Sequence, residues 1–139
     1  MSEFDPTAPE NYRFWVAEHV RYADLDMLGH VNNKAYATYY ETARVSYMMA
    51  CGLSDGRRVG VAMVRLEIDY RKEIRFPATL RLGIRLVRLG NSSLTLACAI
   101  FDEDRCASTA LSIAVKFDPE TRASTPFTPE QRALLEQDL

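Results

Sequence analysis

Four stretches of this chain alternate large and contrasting residues with period two, and only one long stretch repeats with the period of a helix. Val64, Leu66, Ile68 and Tyr70 alternate with Arg65, Glu67, Asp69 and Arg71. Leu80, Leu82, Ile84 and Leu86 alternate with Arg81, Gly83, Arg85 and Val87. Leu94, Leu96, Cys98 and Ile100 alternate with Thr95, Ala97, Ala99 and Phe101, and Leu111, Ile113, Val115 and Phe117 with Ala110, Ser112, Ala114 and Lys116. Successive strand residues point to opposite faces, so each stretch reads as a half-buried strand. A further strand is expected from Phe14 to Tyr22, where Phe14, Val16, Val20 and Tyr22 share a side that Glu18 interrupts. Gly90-Asn91 and Asp102-Glu103-Asp104 supply turns that make neighbours antiparallel, and Pro77 breaks the ladder between the second and third strands.

Between the first two strands the period changes. Tyr36, Tyr39, Tyr40, Ala43, Tyr47 and Ala50 recur at steps of three and four, one face of a helix of about five turns over 33–51. Asn32 or Asn33 can cap its start, and Gly52 stands where a left-handed residue ends it. Val45, Met48 and Met49 lie off the main stripe, which suits a helix wrapped by other structure. Five strands with one face to bury, and one long helix to cover them, have few solutions. The economical one is an α+β arrangement, an antiparallel sheet curled around the helix. Its outer face and edges would invite a second copy. Thr128-Pro129-Glu130-Gln131 reads as a capping box opening a short terminal helix.

The 139 residues, 47% hydrophobic, fit a single domain over 1–139, with a core at about 14–118 and peripheral arms at either end. A formal net charge of -2 argues against nucleic acid or an anionic membrane as partner. No run approaches the roughly 18 apolar residues of a membrane span, and the polar start lacks the pattern of a secretory or transit peptide, so the expected location is the cytoplasm. Cys51, Cys98 and Cys106 are odd in number, lack a Cys-x-x-Cys, and read as buried thiols in a reducing compartment. With only His19 and His30 beside them, a structural zinc site is not expected. There is no Gly-x-Ser-x-Gly elbow and no Gly-rich phosphate loop, which argues against a serine hydrolase and against a bound dinucleotide or NTP.

Chemistry-bearing residues concentrate in the loop before the helix, where Asp24, Asp26, His30, Asn32 and Asn33 fall within ten positions. A helix start presents unpaired N–H groups and a partial positive charge, which suit a developing oxyanion. A nearby carboxylate can serve as base or nucleophile. These are parts for acyl transfer to water. Arg71, Lys72 and Arg75 cluster at a strand end, with Arg57 and Arg58 on the loop before that strand, and are candidates for pairing with phosphates; a solvated strand end is the simpler alternative.

The stretch from Arg21 to Tyr36, reading RYADLDMLGHVNNKAY, and the Glu41-Thr42-Ala43-Arg44 segment after it resemble the hotdog-fold acyl-CoA thioesterases of the 4-hydroxybenzoyl-CoA thioesterase type, nearest to the branch acting on long-chain acyl-CoA. The family pattern, D-x-D-x-x-G-H-V-N-N-x-x-Y followed by E-x-A-R, is present letter for letter, and the resemblance covers about 14–118. It implies a hotdog fold and thioester hydrolysis without metal or redox cofactor. It implies Asp26 as the catalytic carboxylate, nucleophile or general base, and the Asn33 N–H as the group polarising the thioester oxygen. His30 would orient water or assist the leaving thiolate, and Tyr36 would line the acyl pocket. It also implies a homodimer or homotetramer with the site at the subunit interface, completed by the partner strand from Met63 through Val64 to Leu66. The hydratase branch, which resembles D-x-N-P-x-H, fits less well.

Plainer roles stand beside these. Asp24 can bond nearby backbone N–H groups, His30 can be a packing residue, and Asn32 and Asn33 can be simple caps. Glu41 and Arg44, three apart, can pair along the helix, and the helix tyrosines can be core. Two rival functions stay open: the same fold acting on acyl carrier protein, and a hotdog protein that binds acyl ligands without turnover.

Overall fold

A computed structural model of the protein describes residues 4–54 and 60–139. Arg57 and Arg58, expected near the phosphates, lie outside the described residues. The order is β1 (Phe14–His19), α1 (Asn33–Ala50), β2 (Val61–Tyr70), β3 (Thr79–Leu89), β4 (Ser93–Asp102), β5 (Arg105–Lys116) and α2 (Pro129–Glu136). The five strands form one antiparallel sheet in the order β1-β3-β4-β5-β2, curled around α1. This is the hotdog arrangement, α+β, with β1 and β2 at the edges.

The helix forms for the reasons its sequence suggests. The Asn32 side chain caps its start, accepting from the Lys34 N–H at 3.1 Å. It ends in a Schellman motif: Leu53 N–H reaches Met48 C=O at 2.8 Å and Gly52 N–H reaches Met49 C=O at 3.2 Å, with Gly52 at φ +74. The stripe of Tyr36, Tyr39, Tyr40, Ala43 and Tyr47 is buried against Leu80, Leu82, Ile84, Leu94, Leu96 and Ile100. Burying each large side chain contributes roughly 1.5–3 kcal/mol. A buried phenol needs a partner for its hydroxyl, and every tyrosine of the stripe has one. They are Lys72 C=O for Tyr36, Asp24 for Tyr39, Ser108 for Tyr40 and Asp138 for Tyr47.

Three details depart from the alternation. In β5 the small residues Ala110, Ser112 and Ala114 face the helix, while Leu111 is exposed and Ile113 half-buried on the outer side. Tyr40 already fills the space against Ser108, leaving room only for small side chains. Val64 falls at a bulge between Met63 and Arg65 and is exposed instead of sharing the inner face of Leu66 and Ile68. Tyr22 lies in a one-turn 3-10 helix, outside β1, and is exposed.

The two ends, expected as arms, carry buried anchors. Tyr12 packs on the outer face over Gly83, where a Cβ would stand 2.7 Å from the Tyr12 ring. Phe127 and Leu135 are buried in the core, and the capping box forms, Thr128 Oγ1 accepting from Gln131 N–H at 3.2 Å and Gln131 Oε1 from Thr128 N–H at 2.9 Å.

Candidate active site

The loop from β1 to α1 contains two acids in different circumstances. Asp24 Oδ2 accepts from the Arg21 N–H at 2.9 Å and the Tyr39 hydroxyl at 2.6 Å, so this carboxylate is committed to holding the loop against the helix. Burial, first, and the bond to Asp24 push the Tyr39 phenol far above its ordinary value. Glu18, the interruption in the face of β1, points inward, accepts from the His19 N–H at 3.0 Å and stands 3.8 Å from the Arg21 guanidinium.

Asp26 opens a tight turn. Leu25 bridges to Val31, Asp26 N–H donates to His30 C=O at 3.1 Å, and Gly29 N–H donates to Asp26 C=O at 3.1 Å. Gly29 sits at φ +86, a conformation that costs glycine least. The turn sets Asp26 and His30 opposite one another. Asp26 Oδ1 accepts from the Leu28 N–H at 2.9 Å, and Oδ2 has no partner among the described residues. Val31 N–H to Ile74 C=O and Asn32 N–H to Asp24 C=O, both 2.8 Å, fasten the turn to its surroundings.

At the helix start, Lys34 N–H is taken by the Asn32 side chain and Ala35 N–H by the Asn32 carbonyl at 2.9 Å. The Asn33 N–H finds no acceptor among the described residues. Asn33 lines a cavity of about 200 Å³ together with His30, Tyr36, Tyr70 and the corner Arg71, Lys72 and Glu73. The Tyr36 and Tyr70 rings meet edge to face at 4.9 Å, and the Tyr70 hydroxyl donates to Asn33 C=O at 3.3 Å. His30 Nδ1 lies 3.2 Å from Val31 C=O. A carbonyl only accepts, so Nδ1 carries the hydrogen and the neutral ring's Nε2 is left as an acceptor. Nε2 is 4.0 Å from Glu73 Oε2. The Arg75 guanidinium, bonded to Glu73 at 2.8 Å, holds that carboxyl below its ordinary value.

The fold thus gathers His30, Asn33, Tyr36, Arg71 and Lys72 at one cavity. Asp26 adjoins it through the turn without lining it. Arg75 reaches it only through Glu73, and Arg71 Nε is bonded to Thr109 at 3.1 Å. Met63 and Val64 are exposed at the opposite end of β2, about 20 Å along the strand, so this chain's own copies do not line the cavity. Tyr70 and Glu73 belong to the site and were not singled out from sequence. Tyr70 is the last inward residue of β2, and its position in that alternation was the available signal. A second cavity, of about 480 Å³, lies on the other flank of the helix start, lined by Asp24, Leu25, Asn32 and Lys34 among others.

An uncommitted amide at the positive end of an 18-residue helix, an imidazole with a free acceptor and a carboxylate one turn away can together stabilise an oxyanion and direct water.

Comparison with known proteins bears on this geometry. The family model described as Thioesterase-like superfamily matches residues 20–135. The uncharacterized protein YsmA of Bacillus subtilis is 25% identical over 128 residues, covering 90% of this chain and 86% of that protein. Among solved structures, the PA5185 protein of Pseudomonas aeruginosa is 29% identical with a TM-score of 0.84, over 94% of each chain. A Thermus thermophilus thioesterase, solved with coenzyme A and Zn, is 29% identical with a TM-score of 0.80, over 89% of this chain and 98% of that one. Among the described residues here, no group of three or more His, Cys, Asp or Glu is placed to hold a metal ion.

Proposed function

The chain belongs to the thioesterase-like superfamily, and on that premise we propose that it hydrolyses acyl-CoA thioesters to a carboxylic acid and coenzyme A. The observation that carries this reading is the Asn33 N–H, a first-turn amide without an acceptor among the described residues, on a residue that lines a cavity with His30, Tyr36 and Tyr70. The thioester oxygen accepts from this amide, and the growing negative charge meets the positive end of α1. Asp26 either attacks the carbonyl carbon, forming an anhydride that water then opens, or takes a proton from the attacking water. Either way the C–S bond breaks and the thiolate of coenzyme A leaves. Thiols ionise near 8.5, so this leaving group departs without obligatory protonation. His30 Nε2, with the Glu73 carboxylate beyond it, orients the water.

Lys72, exposed and without a side-chain partner among the described residues, and Arg71 and Arg75 beside it, meet the phosphates of coenzyme A. The Thermus thermophilus relative bound to coenzyme A supports this ligand. A second copy of the chain completes the site, bringing its Met63, Val64 and Leu66 to the cavity that this chain's own copies do not reach. The loop motif supports the 4-hydroxybenzoyl-CoA thioesterase type within the superfamily, with the long-chain branch as the nearest likeness.

The test is a hydrolysis screen that follows thiol release from short, long and aromatic acyl-CoA esters and from acyl carrier protein loaded with the same acyl groups. Preferential turnover of the CoA esters supports the proposal. Turnover of carrier-bound esters alone moves the substrate to the carrier protein, and binding of acyl-CoA without turnover of any ester overturns the enzyme reading.

A further inference from the structure

Tyr22 and Phe76 form a pair of aromatic rings that the core does not use. Tyr22 is 77% exposed and Phe76 44%, their centroids stand 5.8 Å apart, and the rings meet at 89°. Neither belongs to a buried cluster, and each has the other as its one aromatic neighbour among the described residues. The tyrosines of the helix stripe all bond a partner, whereas the Tyr22 hydroxyl bonds none among the described residues. Rings that meet edge to face do not cover one another's faces, so a flat ligand ring has a surface to lie on.

Two segments bring the pair together. Val20 N–H donates to Ala78 C=O at 3.0 Å and Val31 N–H to Ile74 C=O at 2.8 Å, so the chain from 74 to 78 runs beside the loop that opens at Val20. Tyr22 stands on that loop, and Phe76 meets it from the middle of the opposite segment. An arginine precedes each ring, Arg21 before Tyr22 and Arg75 before Phe76, and both side chains are exposed. Arg75 gives a hydrogen bond to Glu73, and Arg21 stands 3.8 Å from Glu18. A guanidinium carries several N–H donors in a fork, so both keep donors for an anion. Phe76 follows Glu73 by three residues, and Glu73 lines the cavity beside Asn33, so the Phe76 backbone stands no more than about 11 Å from that cavity's edge.

We infer that Tyr22 and Phe76 are the stacking platform for the adenine of coenzyme A, with Arg75 and Arg21 beside the phosphates on its ribose. The inference rests on the coenzyme A reading of the proposed function and adds the place of the nucleotide. The parts of the ligand follow one another in order. The thioester lies at the Asn33 amide, the extended pantetheine arm is long enough to cross from the cavity past Glu73, and the base reaches the rings. An acyl chain would need apolar cover alone and would leave the flanking arginines without a role, whereas a phosphorylated base uses both rings and charges. An acyl carrier protein has no adenine on its arm, so this platform favours the free coenzyme over the carrier.

The test compares acyl-CoA with the N-acetylcysteamine thioester of the same acid, which keeps the thioester and the end of the arm and lacks the nucleotide. Phe76→Ala and Tyr22→Ala are each expected to raise KM for acyl-CoA at least about 5-fold with kcat little changed, and to leave kcat/KM for the truncated ester within about twofold of wild type. Tyr22→Phe keeps the ring and is expected to behave as wild type. Calorimetric titration with coenzyme A and with 4′-phosphopantetheine reads the same site without turnover: the alanine variants are expected to lose at least about 5-fold in affinity for the first and none for the second. Should Phe76→Ala not fold by circular dichroism, Tyr22→Ala carries the test. Equal losses on the full and truncated ligands, or unchanged affinity for coenzyme A in the folded alanine variants, overturn the inference. A wild type that binds coenzyme A, loses that affinity on Tyr22→Ala and hydrolyses no ester supports the platform and contradicts only the enzyme reading. Hydrolysis of acyl-CoA with the wild-type KM in both alanine variants contradicts only the platform.

Discussion

Tyr39 donates its phenolic hydrogen to Asp24 at 2.6 Å, tying the buried face of the central helix to the loop that carries the candidate chemistry. Asp24 is therefore a structural acid, whereas the Asp26 carboxylate, two residues on, accepts only from the Leu28 N–H of its own turn among the described residues. Asp24→Ala leaves the buried Tyr39 hydroxyl without an acceptor and is expected to destabilise the fold by about 1–3 kcal/mol in urea unfolding. Asp26→Asn keeps an oxygen for the Leu28 N–H and is expected to change stability by no more than about 0.5 kcal/mol.

The helix tyrosines make a prediction about alkaline pH. Burial is the first cause that raises the phenols of Tyr36, Tyr39, Tyr40 and Tyr47 above their ordinary value of 10.0. The folded chain holds these protons where the unfolded chain releases them. Their contribution to stability is thus fully present below pH 10 and is lost as pH rises beyond it. Urea midpoints measured from pH 8 to 11 should be level at first and then fall above about pH 10, and the part of the phenolate absorbance near 295 nm that comes from the four helix tyrosines should rise with unfolding and not before it.

Gly83 is required by the Tyr12 ring lying on it. Gly83→Ala places a methyl group 2.7 Å from Tyr12 Cγ, so the N-terminal segment must lift or the sheet must shift. A loss of about 1–3 kcal/mol is expected from such overpacking. Gly83→Ala combined with Tyr12→Ala should lose less than the sum of the two single changes, which denaturation of all three variants would check.

Asp138, one residue from the end of the sequence, accepts from the Tyr47 hydroxyl at 2.9 Å and the Leu86 N–H at 2.7 Å. Asp138→Ala removes the one oxygen that serves both donors and is expected to cost about 1–3 kcal/mol. Hydrogen exchange at the Leu86 amide should quicken in that variant, and unchanged protection would show that the tail is dispensable there.

Much of this architecture was legible in the residues because hydrophobic period is a direct record of which face is buried. The helix with its Asn32 cap and Gly52 exit, the strands on either side of Pro77, and the Thr128 capping box follow from local patterns alone. The reversed face of β5 did not, because apolar bulk in Leu111 and Ile113 says nothing of the space that Tyr40 takes from the other side. Nor did the bulge at Val64, which depends on register with β5. At the site, the loop motif pointed to His30, Asn33 and Tyr36, which share a cavity. Tyr70 and Glu73 join them through a chain reversal some forty residues later that no local spacing reveals. The same limit applies to Met63 and Val64, whose proposed place at the cavity depends on a second copy.

The central claim is that Asp26 works with the Asn33 amide to split a thioester, and its most direct test is the rate of the Asp26→Asn variant. With the best acyl-CoA ester from the screen, kcat/KM should fall by at least about 100-fold, while circular dichroism and sedimentation match the wild type. Hydrolysis at the wild-type rate by a folded Asp26→Asn protein would contradict the account.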